Sequence, residues 1–190
     1  FAYAEEEPYA GRVFVVDNGR VGSPLHRSVL DALELVEKGL SAAECKAALE
    51  AARNDVVIYV AVETLEHLKR GGRISSAAAA VGTMLNIKPI LHLATGKLES
   101  YKKARGMNKA CETMLESIRS DLAIRFQEAQ HRGDVHLLAA GSASPEETAK
   151  WLAQIEAAFP GMPVLYDDLS LGVSCHTGEG ALGVGPSVRP

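Results

Sequence analysis

The stretch VVIYVAV, Val56–Val62, decides how the rest of the chain is read. It is a continuous apolar run rich in β-branched residues. An unbroken run of this kind suits a strand covered on both faces, as in a parallel sheet, better than the alternating pattern of a half-solvated strand. Upstream, VFVVD (Val13–Asp17) reads as a second short strand with a polar, glycine-containing turn after it. Between the two, Leu25, Val29, Leu33 and Val36 recur at helical spacing from Pro24 to Lys38, with Gly39 as a stop. SAAE at Ser41 is a capping box that opens a helix running to about Arg53. Downstream, Thr64–Lys69 predicts a short helix that ends at Gly71. Strand, helix, helix, strand is the order of an α/β fold.

The second half reads differently. IKPILHLATGKLESYKKA predicts a hairpin turning near Thr95-Gly96. Met107 to about Arg132 predicts one long helix, apolar at Ala110, Met114, Ile118, Leu122 and Phe126. VHLLAAG is a further strand. SPEE at Ser144 supplies an N-cap, a proline in the first turn and two acids, for a helix ending near Phe159. MPVLYDDL and LGVSCHTG are read as strands. The expected fold class is α/β with two domains and a boundary near Gly82–Asn86. Residues 1–84 make an incomplete N-terminal α/β domain with a parallel sheet, and residues 85–190 an α+β domain with a mostly antiparallel sheet.

The 190 residues are 47 % hydrophobic and 23 % charged, the balance of an ordinary globular chain that can bury a sizeable core. A net charge of −4 gives no electrostatic footprint for nucleic acid, and no apolar run approaches a membrane span. Cys45, Cys111 and Cys175 are odd in number and widely spaced, without a CxxC pair. They point away from a disulfide framework and toward a reducing, cytoplasmic setting.

Three segments carry candidate chemistry. In RGGRISS, Gly71 and Gly72 permit close approach, Arg73 offers a planar fork for an oxyanion, and Ser75 or Ser76 can cap a following helix. The plain alternative is a helix stop and a helix start with Arg73 in water. The run Ala77–Val81 has almost no side-chain bulk, which suits either tight helix packing or a slim ligand. In VSCHTGEGALGVG, a strand places Ser174 and His176 on one face, where His176 can bind an anion or simply be a satisfied histidine. Nucleophilic and metal chemistry find little footing. GVSCH is not a nucleophile elbow. Asp167 and Asp168 point to opposite faces of a strand, and the six histidines lack ligand spacing. No GxGxxG or Walker sequence is present. KKARG, Lys102–Gly106, is a small basic cluster, solvated or a docking patch.

Together, ETLEHLKRGGRISSAAAAVGTMLNIKPIL, the hairpin leading into KARG, and CHTGEGALGVG resemble the DegV family of bacterial fatty-acid-binding proteins in wording, order and spacing. The resemblance implies two domains holding one long-chain acyl group between them. It implies a carrier with no catalytic residues and no cofactor, which presents the bound carboxylate to a fatty-acid kinase subunit. By the same resemblance Arg73 and His176 lie near the head group, Ile74, Met84, Leu85 and Ile87 contact the tail, and Arg105 meets the phosphate or the kinase. Family members begin about one strand–helix–strand unit earlier, with a Thr and an SGT-loop Ser that bind the carboxylate. That unit is expected as a separate N-terminal segment of the same protein. Glu179 stands where the family has Pro, adding a negative charge near His176.

An acyl chain fits this sequence physically. Each methylene removed from water gains about 0.8 kcal/mol, and a charged head needs polar partners once buried. The competing readings are an enzyme or binder for a phosphorylated small molecule using the GGR turn and Arg105, and a structural fragment completed by the N-terminal piece.

Overall fold

The computed structural model describes residues 2–73, 86–94 and 97–190. Six strands form one mixed sheet: β1 (Ile58–Ala61), β2 (Ile87–Ala94), β3 (Lys97–Arg105), β4 (Val135–Gly141), β5 (Val164–Asp168) and β6 (Leu182–Val188), in the order β3-β2-β1-β6-β4-β5. Among the described residues seven α-helices accompany them: α1 (Ser23–Glu37), α2 (Ala42–Ala51), α3 (Glu66–Arg70), α4 (Met107–Ile124), α5 (Gln127–Arg132), α6 (Pro145–Ala158) and α7 (Leu171–Thr177). The α/β class expected from the sequence is the class observed.

The register differs from expectation. VVIYVAV does supply β1, but β1 runs antiparallel to both β2 and β6; the parallel pair is β4 with β5. The boundary expected near Gly82–Asn86 falls in a span of which residues 74–85 lie outside the described ones. β1, which precedes it, shares one sheet with the strands that follow it.

The main core lies on one sheet face, and a smaller buried cluster of Val62, Leu65, Leu68, Leu91 and Ala181 lies apart from it. Tyr59, Ala61, Ile90, Leu137, Ala139 and Val184 meet Met114, Ile118 and Leu122 of α4 and Trp151 and Ile155 of α6 in the main core. The helix expected over Met107–Arg132 is two helices. Arg125 and Phe126 both donate to the Asp121 carbonyl, which ends α4, and Phe126 then turns its ring into the core. The capping box at Ser41 with Glu44 forms as its sequence predicts, and the N-cap expected at Ser144 forms and is closed into a second capping box by Glu147.

Two strand expectations fail for identifiable reasons. Val13–Asp17 forms no strand, because no neighbouring strand supplies a ladder. Its backbone pairs with side chains of α2 instead: Lys46 donates to the Val15 carbonyl and Asp17 N–H donates to Glu50. LGVSCHTG is the helix α7, started at Ser170 and stopped by Gly178 at φ 80°. The strand is β6, from the glycine- and proline-containing LGVGPSV, every residue of which is buried. Glycine is required within it: a Cβ on Gly185 would sit 1.8 Å from the Val57 carbonyl oxygen.

Candidate functional site

β1 carries apolar residues on both faces, yet only Tyr59 and Ala61 enter the core, while Ile58 and Val60 remain partly exposed. The reason is a cavity of about 110 Å³ on the second sheet face. Its floor is Ile58 and Val60, with Leu93, Leu138 and Gly183 beside them. Its rim is Val21–Pro24 at the start of α1, and Val173 and Thr177 of α7. The walls are almost wholly hydrocarbon. Val173, His176 and Thr177 fall on neighbouring positions of one helical face, at spacings of three and four. Two of them line the cavity, and His176 lies alongside.

His176 is half-buried against α3. An added Cβ on Gly71 would lie 2.1 Å from His176 Nδ1, so the imidazole rests directly on the Gly71 backbone. Arg73 Nη1 donates to the Gly71 carbonyl at 2.9 Å, with the guanidinium on the exposed side. Gly71 therefore touches both residues, the ring at its Cα and the guanidinium at its carbonyl. His67 belongs to the same junction and is not singled out by sequence: a Cβ on Gly178 would fall 2.6 Å from its Cδ2. Its signal was the helical step from His67 to Gly71, hidden within an ordinary-looking amphipathic turn.

Strand directions gather the remaining expected residues at the same end of the sheet. Arg73 follows α3 after the end of β1, and His176 closes α7 before the start of β6. Arg105 ends β3, where it is exposed and opposite Ile87 at the start of β2. Ile87 shares its strand parity with Leu91 and Leu93, on the cavity face. Ile74, Met84 and Leu85 lie outside the described residues. Ser174 and His176 are not strand neighbours, since α7 is a helix; the bulky apolar residue at its start, Leu171, is 84 % exposed.

Other candidates separate. Asp167 pairs with His26 of α1 at 2.9 Å, and Asp168 accepts from Tyr166, so the two carboxylates do not act together. Burial pushes the Cys111 thiol up to about 12, which keeps it protonated. Among the described residues no group of three or more His, Cys, Asp or Glu could hold a metal ion, and no helix is long and apolar enough to cross a membrane.

Residues 2–188 match the family model described as "Uncharacterised protein, DegV family". The chain is 35 % identical to a DegV domain-containing protein of Streptomyces coelicolor, over 98 % of this chain and 63 % of that protein. It is 32 % identical to the protein DegV of Bacillus subtilis, over 82 % of this chain and 53 % of that one. It thus spans roughly half to two thirds of the length of these relatives. A DegV family protein from Thermus thermophilus, whose structure is presented for its fatty acid binding, superposes with a TM-score of 0.78 at 35 % identity, over 95 % of this chain and 62 % of that one. A stearic acid-binding protein of Eubacterium ventriosum shares the fold at TM-score 0.83 and 20 % identity, covering 99 % of this chain and 63 % of that one. With a family model fitting nearly its whole length and relatives above 30 % identity, this chain belongs to the DegV family.

Proposed function

We propose that this chain forms part of a non-catalytic fatty-acid carrier, with the acyl tail on the open sheet face and the carboxylate at the Arg73–His176 junction. The observation that carries this reading is the asymmetry of β1: a strand apolar on both sides, with Ile58 and Val60 facing a hydrocarbon-walled cavity that runs beside α7. Burying each methylene there contributes about 0.8 kcal/mol. Among the described residues the Arg73 guanidinium has one backbone partner, and with the nearby imidazole it offers the donors that a buried carboxylate needs. The Thermus thermophilus relative, described as binding fatty acid, supports the ligand class. Ile74, Met84, Leu85 and Ile87 extend the tail contacts in this proposal.

A fatty-acid kinase subunit receives the bound carboxylate at this end of the sheet, and Arg105 is its contact. The location is the cytoplasm. A further N-terminal segment of the same protein completes the structure. It covers the apolar stripe of α1 and pairs with Val13–Val16, and it supplies the hydroxyl partners of the head group. The exposure of that stripe, and the one third or more of each relative's length with no counterpart here, support this part.

The test is denaturing extraction and mass spectrometry of the full-length protein from a bacterial host, followed by loading with oleic acid. A bound long-chain acid is expected. Arg73→Ala and His176→Ala each weaken oleate by about tenfold or more, as for loss of a hydrogen bond to a charged group. Val60→Trp blocks loading. Arg105→Ala leaves loading intact and lowers phosphorylation by the kinase subunit. Failure to extract or load any acyl chain removes the proposal.

A further inference from the structure

A second, larger cavity adjoins the first, on the side away from Arg73 and His176. It measures about 460 Å³, within the range of small-molecule pockets, and lies where β1 begins and β2 ends. Its lining mixes apolar residues with a cluster of cationic and aromatic side chains, where that of the first cavity is almost wholly hydrocarbon. Arg20, Arg53 and Arg125 line it, with Tyr59, Tyr101 and His92. Asp121 is the carboxylate in this lining, and it is engaged by the Tyr59 hydroxyl at 2.7 Å.

Two buried polar atoms on this lining have no partner among the described residues. Arg20 has a side chain only 2 % exposed. Its Nη2 donates to the Ala52 carbonyl at 2.7 Å and its Nη1 lies 3.3 Å from Ser28 Oγ, yet its Nε–H meets no acceptor. His92 Nδ1 is likewise buried without a partner. Buried polar atoms of this kind are costly unless something pairs with them. Arg53 and Arg125 stand on the exposed side. Arg53 is 3.6 Å from Asp17, and Arg125 donates to the Asn54 carbonyl, which leaves further N–H groups on each fork. Tyr59 and Tyr101 stack with ring centroids 4.8 Å apart, and His92 meets Tyr101 edge-on at 5.6 Å, so part of the wall is aromatic.

From this geometry we infer that the cavity is a binding site for a small organic anion, a phosphate monoester or carboxylate on a planar body, distinct from the acyl site. The oxyanion takes the free donors of Arg20, Arg53 and Arg125, and the planar body lies along the tyrosine wall. The two cavities share Pro24, Ile58 and Leu93, so they are neighbours with different chemistry.

The experiment is calorimetric titration of the full chain with phenyl phosphate, repeated with inorganic phosphate and repeated on oleate-loaded protein. Saturable one-site binding of phenyl phosphate is expected, tighter than that of inorganic phosphate and persisting with oleate bound. Arg53→Gln with Arg125→Gln weakens it by about tenfold or more, as expected for lost charge-assisted contacts, while oleate loading stays unchanged. These two are exposed, so the double variant is readable even if Arg20→Gln fails to fold. Absence of saturable binding, or binding indifferent to the double variant, overturns the site. Inorganic phosphate binding as tightly as phenyl phosphate removes the role of the aromatic wall and overturns the organic-anion assignment. Stoichiometric displacement by oleate makes the cavity part of the acyl site and overturns its separateness. The acyl proposal is read independently, by loading of Arg73→Ala and His176→Ala.

Discussion

Helices α1 and α4 carry the same kind of apolar stripe and wear it on opposite sides. In α4, Ala110, Met114, Ile118 and Leu122 point inward and are at most 3 % exposed. In α1, Leu25, Val29, Leu33 and Val36 repeat at helical spacing and point outward, 47–58 % exposed. The inner face of α1 is polar instead: Arg27, Ser28 and Asp31 are buried there. Ser23 Oγ ties the start of the helix to the Ala139 carbonyl at 2.9 Å, and Asn18 donates to Ser28 at 2.9 Å. Arg27 Nε bonds Asp31 at 2.7 Å and the same guanidinium also reaches Glu34. The difference teaches that an apolar period reports that a helix has a side to cover, and not what covers it. For α4 the cover is this chain's own sheet. For α1, with Val13 and Phe14 also exposed nearby, it is the further layer put forward above.

The largest effect expected from this contrast is at Asp31. Its carboxylate, 1 % exposed, lies between Arg27 and Arg20, the latter at 3.9 Å. Asp31→Ala leaves the Arg20 guanidinium buried without its nearest counter-charge and leaves Arg27 with Glu34 alone, and removing one partner of a buried pair costs about 3–5 kcal/mol. Urea unfolding of the variant measures this directly. A loss below about 1 kcal/mol would mean that water already reaches the inner face of α1, and the helix would then be loosely seated rather than inverted.

The next test sets the two stripes side by side. Ile118→Ala in α4 opens a cavity in the main core and is expected to cost about 2–5 kcal/mol. Leu33→Ala in α1 removes a side chain that is already 56 % in water and is expected to change stability by no more than about 0.5 kcal/mol. Equal losses would break the comparison. Repeating Leu33→Ala in a longer chain that includes the N-terminal segment sharpens it. There the substitution is expected to cost as much as a core leucine, because the stripe is then covered.

The sequence made the helices and their caps legible because each is written locally: Ser41 with Glu44, Ser144 as an N-cap, and the repeat of Met114, Ile118 and Leu122 all lie within one or two turns. The β2–β3 hairpin was legible for the same reason. What escaped was non-local. Val13–Asp17 has the composition of a strand, but a strand exists only with a neighbour. Leu171, Val173 and Cys175 alternate as strand residues do, yet Ser170 and Gly178 bound a helix short enough for the alternation to mislead. LGVGPSV carries two glycines and a proline, which mask a central strand; Gly185 is demanded by the closeness of the Val57 backbone, which no local pattern records. At the site, Arg73 and His176 were chosen through family resemblance, and the structure brings both onto Gly71. The cavity face of β1 could not be foreseen, since a run apolar on both sides reads the same whether both faces are packed or one stays open.

The smallest expected effect is a pH dependence from beneath α1. His136 is buried on β4, and its Nε2 accepts from Arg189 Nε at 2.7 Å, which requires an unprotonated ring nitrogen. Burial, then the nearby charges of Arg27 and Arg189, hold its pKa below the ordinary value of about 6.5, against an opposing pull from Glu34. In the unfolded chain the ring takes up a proton near that ordinary value, while the folded chain resists until lower pH. The unfolded state therefore binds more protons in that interval, and stability falls as pH drops from about 6.5 toward the folded-state value. Above the interval both states are neutral at this residue and its contribution is flat. His136→Gln keeps a hydrogen-bonding group near Arg189 but cannot titrate. Unfolding midpoints measured from pH 7.5 to pH 5 should therefore show a shallower acid decline in the variant than in the parent. An unchanged slope would place the titrating group elsewhere, and would mean that the polar face of α1 tolerates a charged imidazole beside its two arginines.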